Sequence, residues 1–357
     1  MRFISAVVGG VLAQACHTPS PVATASAPAL SWPAPATGRS YTLGPTPKTV
    51  AWGWYDFAGE PVLRVASGDE VTVRALSTCS PTSLVRAGLD SNRVEQLAKD
   101  IYAAKSLMNT GPGGHILTGP IYVEGADSGD VLEVRFKSIK PAIDYACNSF
   151  GPRSGFLPED FPGTSRARII ELDTVAMIGH FGPDISIPLH PFFGSVGDAP
   201  PASMGRVNSA PPGIHAGNLD NKELVAGSTL YIPVWTKGAL LEVGDGHAGQ
   251  GNGEIDITAM ETSLIGRLQL VVRKDMHLSW PRAETPTHYI AMGIDKDLTQ
   301  ATKLAVRQAI ELLVQVKGLS REDAYQLVSV AGDVDVTQLV DGPVGVHVMI
   351  PKAIFRR

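Results

Sequence analysis

Leu132-Glu133-Val134-Arg135-Phe136-Lys137 alternates apolar and charged residues without a break, and a period of two belongs to a strand with one face in a core. The same alternation returns at Val71, Val73 and Ala75, and again at Leu268, Leu270 and Val272. Gly-Asp pairs at 68–69, 129–130 and 244–245 read as turns between such runs, with Pro-rich loops elsewhere. No regular strand–helix alternation appears, which argues against a doubly wound sheet. The expected fold is mainly β: a β-sandwich-like body over residues 48–275, then a smaller α+β C-terminal part over 276–357. The helical share rests on Ala301, Leu304, Ala305, Ala309, Leu312, Leu313 and Val316, which recur at three and four, with Thr299 as N-cap and Gly318 as stop. Ser320 with Asp323 reads as the capping box of a second helix, and Val344 to Ile350 as a closing strand.

Composition agrees with this. The 357 residues include 37 Gly and 27 Pro, which favour turns and short strands over long helices. Thirty Lys and Arg against 35 Asp and Glu leave no basic surplus for a phosphate backbone, so nucleic acid is not an expected partner. No run of 18 apolar residues offers an integral membrane segment. Residues 1–15 read as a signal peptide, with Arg2 as the positive end, Phe3 to Leu12 as the apolar core and Ala13-Gln14-Ala15 as the cleavage site. Residues 16–47 form a Pro- and Ala-rich linker. Export to the periplasm or the medium is expected, with a lipid on Cys16 as one form of it, although Ala13 stands where a lipoprotein signal has Leu. A cytoplasmic chain with a frayed apolar N-terminus is the alternative.

The densest polar cluster is Gly244-Asp245-Gly246-His247-Ala248-Gly249-Gln250-Gly251-Asn252-Gly253-Glu254. Its glycines let a ligand or ion approach the backbone, and Asp-x-His sets both side chains on one face of an extended strand, a spacing suited to a divalent ion. Asp245 and His247 are therefore candidate metal ligands, and Glu254 a ligand or general base, with Gln250 lining the site. A tight glycine hairpin whose Asp245 and Asn252 only satisfy turn amides is the plainer reading. Asn218 and Asp220 could bring oxygen to the same site, although Asp220 could equally cap a turn. His115, followed by Thr118 and the strand carrying Glu124, is either a pocket-facing group or a hydrogen-bonded structural one. His180, His190, His277, His288 and His347 show no short-range partner pattern. There is no G-x-S-x-G elbow, phosphate loop, H-E-x-x-H helix or dinucleotide fingerprint. Cys79 and Cys147 could pair in an oxidising compartment, supply a nucleophile beside a His, or be small core residues.

The chain resembles the acetamidase/formamidase family over roughly residues 47 to 356. The resemblance lies in Leu117-Thr118-Gly119-Pro120 with Val123-Glu124-Gly125-Ala126, in His190-Pro191-Phe192-Phe193-Gly194, and in Gly217-Asn218-Leu219-Asp220-Asn221-Lys222-Glu223-Leu224. It continues in the Gly244-to-Glu254 loop, Pro281-Arg282-Ala283-Glu284-Thr285-Pro286 and Val336-Thr337-Gln338-Leu339-Val340-Asp341. It implies hydrolysis of short-chain amides to ammonia and a carboxylate, a divalent metal with zinc as the expected ion, and a homo-oligomer. By position it implies Glu254 and Glu124 as catalytic acids beside the Asp245, His247 and Asp220 site. Asn252, where the family loop has Asp, and Asp198, where it has an apolar residue, depart from that pattern. Two rival readings remain at this level: an exported amide-binding protein that has lost catalysis, and a cysteine-dependent amidase using Cys147.

Overall fold

Leu132, Val134 and Phe136 are fully buried in the strand Val131–Pro141, at the centre of a nine-stranded sheet. A computed structural model describes residues 38–356; the segment read as a signal peptide and most of the expected linker, with Cys16, lie outside the described residues. The sheet runs Ser40–Leu43, Glu70–Ala75, Leu264–Arg273, Val131–Pro141, Thr229–Pro233, Arg282–Glu284, His288–Asp295, Val344–Pro351 and Asp333–Gln338, and is antiparallel except where Ser40–Leu43 joins Glu70–Ala75. The alternation at 132–137 departs from expectation on its charged side. Glu133 and Arg135 are buried too, because they pair with each other at 2.5 Å while Arg273 reaches Glu133 at 2.8 Å. A buried charge persists when it is paired and hydrogen-bonded.

Against this sheet packs a six-stranded one, ordered Ala216–Asn218, Phe192–Gly197, Leu241–His247, Ile116–Glu124 and Val50–Trp52, with Leu63–Ala66 added in parallel to Ile116–Glu124. Val71, Val73, Leu264 and Leu268 from the first meet Ile121, Phe193, Val196, Leu241 and Val243 from the second in one core. That is a sandwich, and the fold is mainly β. A four-stranded sheet (Tyr145–Phe150, Arg166–Asp173, Ile178–Gly182, Ile185–Pro188) stands beside it.

The helix Leu298–Lys317 buries Ala301, Ala305, Ala309 and Leu313 against Ala291, Val346 and Val348. Its N-cap is Asp297 rather than Thr299, since the Asp297 carboxylate accepts from Gln300 N at 2.9 Å. Gly318 ends it in the left-handed region at φ 66°, and Ser320 caps Arg321–Ala331. Pro81–Arg86 and Gln96–Ala104, inside the body, are helices that the periodicity did not show. Each buries only one or two side chains, too few to set a 3.6-residue period.

Candidate functional site

All seven residues of Leu241–His247 are buried, which is possible because the strand is thin. A Cβ on Gly244 would stand 2.7 Å from Leu117 Cδ2, and one on Gly246 would overlap Thr262 O. Gly244-Asp245 therefore belongs to a strand and not to a turn; the glycine admits the neighbouring chain. At the end of this strand Asp245 and His247 share one face, with His247 Nε2 3.2 Å from Asp245 Oδ2. Glu261 Oε1 lies 3.3 Å and Asp220 Oδ1 4.0 Å from the same nitrogen. Ligand atoms of Asp220, His247 and Glu254, and likewise of Asp245, His247 and Glu261, lie within 4.8 Å of one another.

Three of these acids sit in unusual backbone. Asp220, Asp245 and Glu254 have φ of 47°, 57° and 45°. The left-handed region costs an ordinary L-residue about 1–2 kcal/mol; such residues gather where the surroundings hold side chains for a purpose. Gly194 gives them room, since a Cβ there would overlap Asp220 Oδ1 and stand 2.5 Å from Asp245 Oδ2.

The hydrogen bonds around His247 select its tautomer. Gln250 Nε2 donates to the Asp220 carbonyl at 2.8 Å, so its Oε1, 2.9 Å from His247 Nδ1, must accept from an Nδ1–H. In the neutral ring Nε2 is then a lone pair aimed at carboxylates, buried and without a hydrogen-bond partner, as is Asp220 Oδ1. A lone pair facing anionic oxygens is repelled unless a proton or a metal cation stands between them. The electrostatics show how strongly this cluster attracts positive charge. Burial pushes Asp220 and Glu254 well above the usual carboxylate range, with neighbouring acids adding to it. Burial opposes the charge on His247, yet Glu261 and Asp245 hold its pKa well above the ordinary value. Burial also works against Asp245, but His247 and His115 outweigh it and keep Asp245 near 2. Imidazole nitrogen with carboxylate oxygens is a donor set for a divalent ion.

The acetamidase/formamidase family pattern matches residues 75–210 and 205–357. The chain belongs to that family. It is 30% identical to a formamidase of Methylophilus methylotrophus, over 40% of this chain and 47% of that protein. Thus it spans about half the length of that relative. A crystal structure of a predicted acetamidase/formamidase from Thermoanaerobacter tengcongensis superposes with a TM-score of 0.75 at 27% identity, covering 88% of this chain and 97% of the other. An acetamidase from Bacillus halodurans gives 0.74 at 28%, covering 88% and 98%.

Not every acid that family position suggested reaches the cluster. Register pairs Thr118 with Val243 and Ile121 with Leu241, so Glu124 runs on past the far end of the strand pair, about 20 Å from Thr118 at 3.3 Å per residue. Glu124 is exposed and pairs with Arg64 at 3.4 Å, which takes it out of the site. Thr118 is buried, but its hydroxyl donates to the Arg74 carbonyl at 2.8 Å, so it does not serve the cluster either. His115 does reach it: Nε2 lies 3.8 Å from Asp245 Oδ2, and Nδ1 meets Ser209 Oγ at 3.0 Å. Asn218 Nδ2 donates to Asp220 Oδ2 at 2.6 Å and orients it.

Two acids escaped the sequence reading. Glu261 has no signature around it and arrives because Cys147 and His247 flank it by β-bridges. Asp341 closes a stretch noted for family resemblance; burial pushes its carboxyl up to about 6, and it interacts with Asp220, His115 and Asp245. Of the two departures from the family pattern, Asn252 is exposed and donates to Asp335 at 3.3 Å. Asp198 is fully buried outside the cluster, and burial pushes its carboxyl well up. Cys147 is bonded to Cys79, with Cα atoms 6.6 Å apart, so it holds no thiolate and the cysteine mechanism has no nucleophile.

Proposed function

We propose that this protein hydrolyses carboxamides to ammonia and a carboxylate with the help of a divalent cation, zinc being the ion that suits a set of imidazole and carboxylate donors. The observation that carries this reading is the buried His247 Nε2, faced by Asp245, Glu261 and Asp220, with Glu254 beside them. His247, Asp245, Asp220 and Glu261 are the residues that would hold the cation, with His115 in reach of Asp245. Bound there, the ion supplies carbonyl polarisation and a lowered pKa for water.

The chain's own groups do the rest. Glu254 is a buried carboxyl with a raised pKa, which makes its carboxylate a stronger base than an exposed one; it takes the proton of the attacking water and returns it to the departing nitrogen. Gln250 and Asn218 hold His247 and Asp220 in place. Backbone amides of the Gly249 to Asn252 loop steady the developing oxyanion. The names of the formamidase and acetamidase relatives support amide hydrolysis. The experiment is metal analysis of the purified protein together with ammonia release from formamide and acetamide, before and after chelation. Loss of ammonia release on chelation and its return with zinc support the reading; no ammonia from any amide refutes it.

We place the enzyme outside the cytoplasm, as a homo-oligomer. The Cys79–Cys147 bond supports an oxidising compartment, since cytosolic thiols are kept reduced. Among the described residues no helix is long and apolar enough to cross a membrane. N-terminal sequencing of the protein from its host should begin at or near Cys16, and an intact Met1 would overturn the placement; light scattering reads the assembly.

A further inference from the structure

The cleft that opens beside Glu254 and Gln250 has a volume of about 850 Å³. Sites that take drug-sized organic ligands span about 300–1,000 Å³, so the smallest acyl groups would leave most of this one to water. Its far wall is apolar and comes from the small side sheet, where Ile170, Phe181 and Ile187 stand on three successive strands, with Ile255 and Met260 completing it from the loop after Glu254. The polar groups of that wall are already engaged: Asn148 Nδ2 donates to Thr258 Oγ1 at 3.0 Å and to Asp256 Oδ1 at 3.1 Å. At the rim Lys222 and Glu223 offset each other at 4.0 Å. The cleft thus joins a polar end, where an amide could react, to a large apolar space whose charged groups are already engaged, Lys222 with Glu223 and Asp256 with Asn148 and Thr258 N.

We propose that the preferred substrates are neutral primary carboxamides whose acyl part is an aryl or branched alkyl group, seated against Phe181 and Ile187. This rests on the amide-hydrolysis reading and names its substrate class. The step balances without any further reactant: water oxygen bonds to the carbonyl carbon, the carbon–nitrogen bond breaks with its electron pair on nitrogen, and the proton lost by water ends on the departing ammonia. Each added apolar group that fills the cleft contributes to transition-state binding, and one methylene in such a pocket is worth about tenfold or more in kcat/KM.

The test is kcat/KM of the full chain, from ammonia release, for formamide, acetamide, isobutyramide, benzamide and phenylacetamide. The expected result is a rise of at least tenfold from acetamide to the best aryl amide. Ile187→Asp, which sets a charge on the half-buried edge of the wall, should lower the benzamide-to-acetamide ratio by tenfold or more, and Phe181→Ala should lower it in the same direction. Acetamide equal to or better than every larger amide overturns the proposal and leaves the amidase reading standing. Ratios unmoved by both variants also overturn it. Ammonia from none of the amides overturns the amidase reading, and this proposal with it.

Discussion

Cys147 and Glu261 exchange both of their backbone hydrogen bonds, at 2.9 and 2.8 Å, so the strand that carries the disulfide is also the strand that holds an acid against His247. The other end of the same disulfide reaches Glu261 as well. Thr78, next to Cys79, donates its hydroxyl to Glu261 Oε2 at 2.8 Å, while Ala259 N donates to Oε1 at 2.8 Å. Glu261 is thus gripped by its backbone on one side of the bond and by its carboxylate on the other.

Thr78→Val should therefore weaken metal binding by about 10- to 100-fold, the usual cost of removing a group that orients a ligand, with Thr78→Ser restoring it. Reducing the disulfide, or replacing both cysteines by Ser, should shift metal affinity in the same direction at temperatures well below unfolding. Titration with a competing chelator measures this; unchanged affinity in all of these forms would show that Glu261 is held without them.

His247→Ala and Glu254→Gln should separate binding from proton transfer. The first removes an imidazole donor and should lower metal occupancy and turnover together. The second keeps the shape of the side chain but cannot accept a proton, and turnover should fall by about 10²- to 10⁴-fold while substantial metal remains. If Glu254→Gln empties the site as completely as His247→Ala, then Glu254 is a ligand and Asp341, half-buried and raised to about 6 by desolvation, becomes the better base.

Gln250→Leu removes the acceptor that keeps the proton on His247 Nδ1. Freed of that partner, the ring can turn or change tautomer, and metal affinity should drop by about tenfold or more. A Gln250→Glu change restores an acceptor and should recover most of the loss. Equal affinity in Gln250→Leu and the unaltered protein would mean that packing alone orients the ring.

Stability should carry an acid limb from His215, which is fully buried and lies edge-on to Tyr55 with ring centroids 5.0 Å apart. Burial lowers its pKa from 6.5 to about 4, so the folded protein refuses a proton that the unfolded chain takes. The resulting stability is full above pH 6.5 and is lost as the pH falls towards 4, by up to about 3 kcal/mol. His347, also held near 4 by burial, has the same sign. Asp198 and Glu242, raised by burial, slope the opposite way in both proteins, so the comparison is with His215→Phe. Urea unfolding at pH 7.5, 6 and 5 should show the gap between the two proteins shift in favour of His215→Phe as the pH falls, and a constant gap would refute this origin.

Local pattern determined much of this protein. Period-two alternation is a property of neighbouring residues, so the strands at 70–75, 131–141 and 264–273 and the mainly β class were legible from it. The grouping of Asp245, His247 and Glu254 was legible for the same reason: they lie within ten positions of one another in a glycine-rich stretch, where Gly244 and Gly246 admit the neighbouring chains. Tertiary structure alone decided the rest. Glu124 and Thr118 share a strand with His115's end of the site, yet register and hydrogen bonding take both away from it, and register is set by packing between sheets. Glu261 carries no mark in its own neighbourhood, and Asp341 lies in a stretch that only family resemblance marked; both enter because long-range strand pairing and burial bring distant segments to one point. The charged face of 132–137 looked solvent-bound because a pattern records polarity, whereas whether Glu133 and Arg135 meet water or each other and Arg273 depends on strands brought from more than a hundred positions away.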